Sequence, residues 1–228
     1  MAASQRRHGA SAQERRAALL RATVEVAAEG GAAAVTHRAV TEKAGLPLAT
    51  VGYFFDSIND LAAEAFRVHV EQAATQQIVL ADGLAQLSGN PDDITAAFAA
   101  MVAAPDQQVL AMFEAYLYSA RRRDLELPVG DAIASSRAVA AAAVQAGGLP
   151  DPHTMAPALA ALAHGFRLHR LADPEAVDSE TVHTALRALI AGFLVLGGHT
   201  EIVERQLARE RADPQTQKAA SPHDRPVP

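Results

Sequence analysis

The residues best suited to chemistry lie between Thr36 and Phe55. Thr36, His37 and Arg38 stand together at the start of one segment, and Leu48, Ala49, Thr50, Gly52, Tyr53 and Phe54 form a second just beyond Gly45. Arg38 carries a forked pair of donors that fits the O6 and N7 edge of guanine. Thr36, His37 and Thr50 can donate to phosphate or base acceptors. Tyr53 can set its ring against sugar and its hydroxyl on phosphate, while Leu48 and Ala49 suit a thymine methyl. Lys43 adds a cation for the backbone, and Arg6 and Arg7 can track phosphates or enter a minor groove. These side chains act together only if two short helices hold them on one surface. Thr36 is placed to cap the first helix, Gly45 to end it, and Pro47 to sit in the first turn of the second. Two short helices joined at a Gly form a helix-turn-helix, whose second helix fits the DNA major groove. Val40, Ala44, Val51 and Phe55 read as the small core behind that surface.

The rest of the chain punctuates into helices. Residues 1–12 read as a mobile arm, followed by a helix from about Ala12 to Glu29 that Gly30-Gly31 stops. Ser57-Ile58-Asn59-Asp60 has the form of a capping box opening a longer helix to about Leu80. Asn90-Pro91-Asp92-Asp93, Pro105-Asp106, Pro128, Asp151-Pro152 and Asp178-Ser179 each mark a further helix start, and a shorter helix is expected from Thr200 to Arg211. The tail from Asp213 holds four Pro in sixteen residues and is expected to be disordered. No strand or internal repeat is evident. The expected division is an arm at 1–12, a helix-turn-helix domain at 13–57, a helical regulatory and dimerisation domain at 58–211, and a tail at 212–228.

Composition narrows the class. Of 228 residues, 53 are Ala, half are hydrophobic and only 4% are aromatic, which makes an all-α fold the default. Cys is absent, so disulfides and thiolate metal sites are excluded. His164 and His169 stand five apart, on different helix faces, so no metal is expected. No P-loop, dinucleotide fingerprint or catalytic triad is present, so neither a cofactor nor an enzymatic centre is expected. No apolar run of about 18 residues is evident, nor a signal-peptide core, so a cytoplasmic protein without a membrane partner is expected. Net charge is -6, but unevenly spread. Residues 1–55 carry seven basic and four acidic side chains (+3), and residues 56–228 thirteen and twenty-two (-9). A basic front would face phosphate and an acidic body would stay clear of it.

The front segment also resembles a known family. Arg16-x-x-Leu19-Leu20-x-Ala22-Thr23-Val24-x-Val26-Ala27-Ala28-Glu29-x-Gly31, then Thr36-x-Arg38-x-Val40, Ala44-Gly45-Leu46, Thr50-Val51, Tyr53-x-Phe55-x-Ser57 and Leu61, is similar to the DNA-binding domain of TetR/AcrR-type transcriptional regulators. The match covers about fifty residues with matching gaps. Further on, Glu114-Ala115-Tyr116-Leu117 through Glu126 looks like a segment of some members, while the rest of the rear agrees in helix count and order. Departures fall at Pro47, Ala49, Gly52, Phe54 and Ile58. The family usually has a small polar residue, Gly, Tyr, His or Tyr, and Lys there, so base preference transfers less well than fold.

The resemblance implies a homodimeric regulator, most often a repressor, with a rear ligand pocket. Its candidate lining is Phe66, Phe98, Met101, Met112, Phe113, Tyr116 and His164, suited to an apolar or amphipathic effector. The last two long helices carry apolar stripes wider than one core needs. Leu159, Leu162, Phe166, Leu186, Leu189, Ile190, Phe193 and Leu194 are therefore expected at a four-helix dimer interface, with Ile190 and Leu194 on an outward face. The expected partners are a double-stranded, palindromic DNA operator, a second copy of the chain and the small effector. The rival reading is a helical carrier or small-molecule enzyme in which the front module only packs.

Overall fold

The computed structural model describes residues 2–106 and 108–212; the expected tail lies outside them, as do the side chains of Arg6 and Arg7. Ten α-helices follow one another: α1 (Ala2–Gly30), α2 (His37–Ala44), α3 (Thr50–Phe54), α4 (Ile58–Ala85), α5 (Pro91–Ala103), α6 (Gln108–Arg121), α7 (Val129–Ala146), α8 (Pro152–Ala172), α9 (Ser179–Leu196) and α10 (Thr200–Ala212). Short 3-10 turns at Ala32–Ala34 and Arg123–Leu125 join them, and no strand occurs among the described residues. The fold is all-α, as the Ala-rich composition implies.

Local rules account for most boundaries. The Ser57 side chain accepts the Asp60 N–H at 3.1 Å, Asn90 accepts that of Asp92 at 3.0 Å, and Asp178 accepts that of Thr181 at 2.7 Å. Each satisfies an amide that the first helical turn leaves unpaired. Gly45, at φ 65°, closes α2 by donating back to Glu42 and Thr41 carbonyls. Three boundaries differ from expectation. α1 extends back to Ala2, because nothing before Gly30-Gly31 breaks the helix. α4 runs five residues past Leu80, since its stop is the Gln86–Asn90 stretch before Pro91. α3 is regular only from Thr50, with Pro47 to Ala49 forming the turn that leads into it.

Packing divides the chain into a small front core and a larger rear one. Leu19, Leu20 and Ala22 of α1, Val40, Val51, Phe55, and Leu61 and Ala65 of α4 are buried together in front. α4 continues into the rear, where it packs along α7, and Phe66, Val70, Ala115 and Tyr118 form a junction core. Arg16 ties α1 to α4 by pairing with Glu64 and lies over the Phe55 ring at 5.1 Å. The largest cluster joins Ala99 and Val102 of α5, Val144 of α7, Met155 and Leu159 of α8, and Val182, Leu186, Ile190 and Leu194 of α9.

α9 corrects two expectations. It spans 18 residues at a mean hydropathy of 1.2, long and apolar enough to cross a membrane, where no such run was expected. It also turns Ile190 and Leu194 inward: they are 8% and 0% exposed, as are Leu186 and, on α8, Leu159 at 1% and 3%. The buried row of α9 repeats every fourth residue, from Val182 to Leu194, and seats on α5. The alternate 3-4 stripe through Leu189 and Phe193 falls to the side and is half-buried, as are Leu162 and Phe166, while Val195 and Leu196 are exposed.

Candidate nucleic-acid interface and ligand cavity

α2 and α3 each bury one side and expose the other. Val40 and Val51 are fully buried against α1 and α4, which fixes how both helices are rotated. Opposite them, Thr36, His37, Arg38, Leu48, Ala49, Gly52 and Tyr53 are exposed and Thr50 is half-buried. Leu48 is 60% and Tyr53 75% exposed, unusual for an apolar and an aromatic side chain with space to fold inward. Thr36 uses its hydroxyl oxygen to accept the Ala39 N–H at 3.2 Å, so its proton stays available. Phe54 differs from the rest: it is half-buried against the front core, its ring meeting Tyr53 edge-on at 4.8 Å. It supports Tyr53 more than it presents a surface. Lys43 differs too. Its ammonium pairs with Glu29 at 2.5 Å and with Glu25 at 3.8 Å, and the Glu29 hydrogen bond raises its pKa. It fastens α2 to α1 because one turn of α2 brings its stem alongside those carboxylates.

Behind this module lies a cavity of about 280 Å³ enclosed by α4, α5, α6, α7 and α8. Phe98, Met101, Met112, Phe113, Tyr116 and His164 line it. Phe66 does not: it is fully buried in the junction core, tilted against Tyr118 at 4.8 Å between centroids. It lies about two turns nearer the front on α4 than the first lining residue, Ala73, and packs in a cluster with Ala27 of α1. The sequence reading overlooked the polar wall, made by Gln77 of α4, Ser136 of α7 and Arg167 of α8. Arg167 stands three residues after His164, so the helical repeat would have found it once His164 was chosen. Gln77 follows Thr75 and Gln76 and precedes the apolar Ile78-Val79-Leu80, a weaker signal.

His164 is a pivot of this wall. Its ring meets Phe113 and Tyr116 edge-on at 6.4 and 6.3 Å. Burial lowers its pKa, and the Arg167 charge lowers it further, so the imidazole is neutral at neutral pH. Burial also raises that of the Tyr116 phenol. A second cavity of about 390 Å³ lies between α1, α4 and α6 and shares Ala73, Gln76 and Gln108 with the first. Its wall includes Leu20 and Val24 of α1 and His69 of α4, whose buried Nε2 has no partner among the described residues.

This arrangement, a two-helix reading surface before a hollow helical body, has known counterparts. Residues 89–192 match the family model described as the tetracyclin repressor-like C-terminal domain. A TetR-family member from Streptomyces coelicolor A3 is 26% identical, covers 77% of this chain and 98% of its own, and superposes with a TM-score of 0.57. The chain is thus similar to TetR-family transcriptional regulators, in sequence over its rear and in fold over most of its length. Two further likenesses are crystal structures of the multidrug binding protein EbrR. Its proflavin complex is 26% identical, covers 77% of this chain and 99% of its own, and has a TM-score of 0.55. Its ethidium complex is 25% identical over 77% and 98%, with a TM-score of 0.56. No curated protein matches the chain. The family model falls on the rear of the chain, the part whose resemblance by residue is slightest.

Proposed function

We propose that this chain is a TetR-family, non-enzymatic, ligand-responsive repressor that binds a palindromic operator as a homodimer. The observation that carries the reading is the exposed row Thr36, His37, Arg38, Leu48, Ala49, Gly52 and Tyr53, held outward by buried Val40 and Val51. Residues 13–57 form the reading module. Arg38 supplies base readout, and Thr36, His37, Thr50 and Tyr53 hold phosphate and sugar. Residues 58–211 form the regulatory body. EbrR, with its two dye complexes, supports a small-molecule effector in the cavity behind α6. The dimer uses α8 and α9, through half-buried Leu162, Phe166, Leu189 and Phe193 and exposed Leu196. The test is to select bound duplexes from random or genomic DNA and titrate the recovered sequence over a range of salt. A two-fold symmetric motif and an affinity that falls steeply with salt are expected. Absence of salt-dependent duplex binding overturns the reading.

A further inference from the structure

The cavity behind α6 is apolar over most of its wall, yet its polar groups are biased toward donors. Ser135 and Ser136 bring two hydroxyl protons, and two acceptors lie within reach of both. Gln77 Oε1 stands at 2.6 and 3.0 Å, and the Ala132 carbonyl at 2.9 and 3.0 Å. Ser136 Oγ also stands 3.4 Å from His164 Nε2. The Gln77 oxygen is occupied by the serines, while its amide N–H groups make no hydrogen bond among the described residues.

Arg167 lies almost one turn beyond His164 and lines the same cavity. It is half-buried, and among the described residues it makes neither a hydrogen bond nor an ion pair. A guanidinium has five N–H donors, no acceptor, and a charge that persists at any physiological pH. Burial nevertheless acts against that charge, with Asp106 opposing the effect. Asp106 is the one carboxylate among the described lining residues. It is exposed at the rim, and its Oδ1 already accepts the Gln108 N–H at 2.8 Å, at the start of α6. A partly desolvated cation beside free amide donors is compensated best by an anion that enters the cavity.

We propose that the effector is an amphiphile with one anionic head, a carboxylate or similar oxyanion, bound by Arg167 and Gln77, and an apolar body lying among Phe98, Met101, Met112 and Phe113. This deepens the effector reading of the cavity and rests on it. At about 280 Å³ the space suits a slender single-headed ligand.

Three probes with one chain and different heads test it: decanoate, decan-1-ol and decylammonium, titrated calorimetrically into the full-length protein and then into its operator complex. Decanoate is expected to bind at least about tenfold more tightly than decan-1-ol, the scale of one charge-assisted hydrogen bond. Decylammonium is expected to bind weakest. Arg167→Met should erase the decanoate preference and leave decan-1-ol affinity unchanged. Arg167→Gln, which keeps a polar head of similar reach, should do the same and stands in if the Met variant misfolds. A preference for decanoate that survives both substitutions overturns the proposal, as does tightest binding of decylammonium. If decan-1-ol binds as well as decanoate and both release DNA, the cavity remains the effector site and the anionic head is wrong. If none of the three binds, the anionic proposal falls. If the DNA-free protein also fails to bind the cationic aromatic dyes proflavin and ethidium, the effector reading falls with it.

Discussion

At the scale of single residues, exposure and partners separate contacts from supports. Arg38 is exposed on α2 with no partner among the described residues, so Arg38→Ala should leave the thermal midpoint unchanged. It should weaken operator binding by about 1–3 kcal/mol per half-site, the worth of one bidentate base contact. A gel-shift titration on the selected operator checks this, and unchanged affinity would remove Arg38 from the reading surface. Lys43→Ala should behave differently, because its ammonium is already paired with Glu29 and Glu25. DNA affinity should change little, and so should stability, since the pair is exposed. The two half-buried imidazoles give a pH effect. Burial lowers the pKa of both His69 and His164 from the ordinary 6.5. In the unfolded chain they take up protons near 6.5, whereas the folded ones resist until lower pH. Stability is therefore complete above that value and lost as pH falls through the folded pKa values. Urea midpoints should drop from about pH 7.5 to about pH 5.5, and the double variant His69→Gln, His164→Gln should lose part of that slope. A slope identical to the parent's would mean that neither burial matters.

At the scale of elements, the two kinds of information in the sequence part company. Caps and turns are local, so Ser57, Asn90, Asp178 and Gly45 could be read directly, and the structure gives each the hydrogen bond expected of it. Asp178→Ala should accordingly lower stability, measured by denaturation, because the Thr181 N–H loses its acceptor. Which side of a helix faces in is not local. α9 carries two apolar rows, and both satisfy a helical period. Only the small residues opposite it on α5, such as Ala99, decide that the row from Val182 to Leu194 is the one buried. The same limit hid the polar wall of the cavity, because Gln77 and Arg167 lie 90 positions apart and come to one cavity only through the packing of α4 on α7 and of α7 on α8. Phe66, chosen for bulk alone, went to another core for that reason. The rotation of α9 yields a sharp contrast. Ile190→Asp or Leu194→Asp would bury an unpaired carboxylate in the protomer core, at several kcal/mol, and should unfold or severely destabilise the chain. Leu196→Asp, at a position 89% exposed in the protomer, should leave it folded. Circular dichroism melts of the three variants distinguish these outcomes, and a stable Leu194→Asp protein would mean that α9 is rotated otherwise.

At the scale of the whole molecule, charge, cavity and apolar surface favour one geometry. The front carries +3 (seven basic minus four acidic) and the remainder -9 (thirteen minus twenty-two), so the protein's field turns the α2–α3 face toward DNA. The cavity shares Ala73, Gln76 and Gln108 with the space beneath α1, so whatever fills it presses on walls that also carry the reading module. Besides Ile78 and Val79 of α4 and Leu117 of α6, apolar side chains stand exposed on α8 and α9, at Leu168, Val195 and Leu196 (49%, 50% and 89%). A patch of this kind calls for a self-complementary partner, and a two-fold pairing there would present two α3 helices symmetrically. The operator should then be a palindrome with half-sites about one helical turn apart or slightly more. Leu196→Asp links the two expectations. It keeps the protomer folded but brings two like charges together across the symmetry axis, so light scattering should find monomers. Each monomer holds one half-site, so operator affinity should fall well beyond any single contact, while weak, salt-sensitive binding to random duplex should persist because the reading surface is untouched. A Leu196→Asp protein that stays dimeric and binds the palindrome normally would place the dimer contact on another face. A monomer that still protects both half-sites at parental affinity would show that symmetry plays no part in recognition.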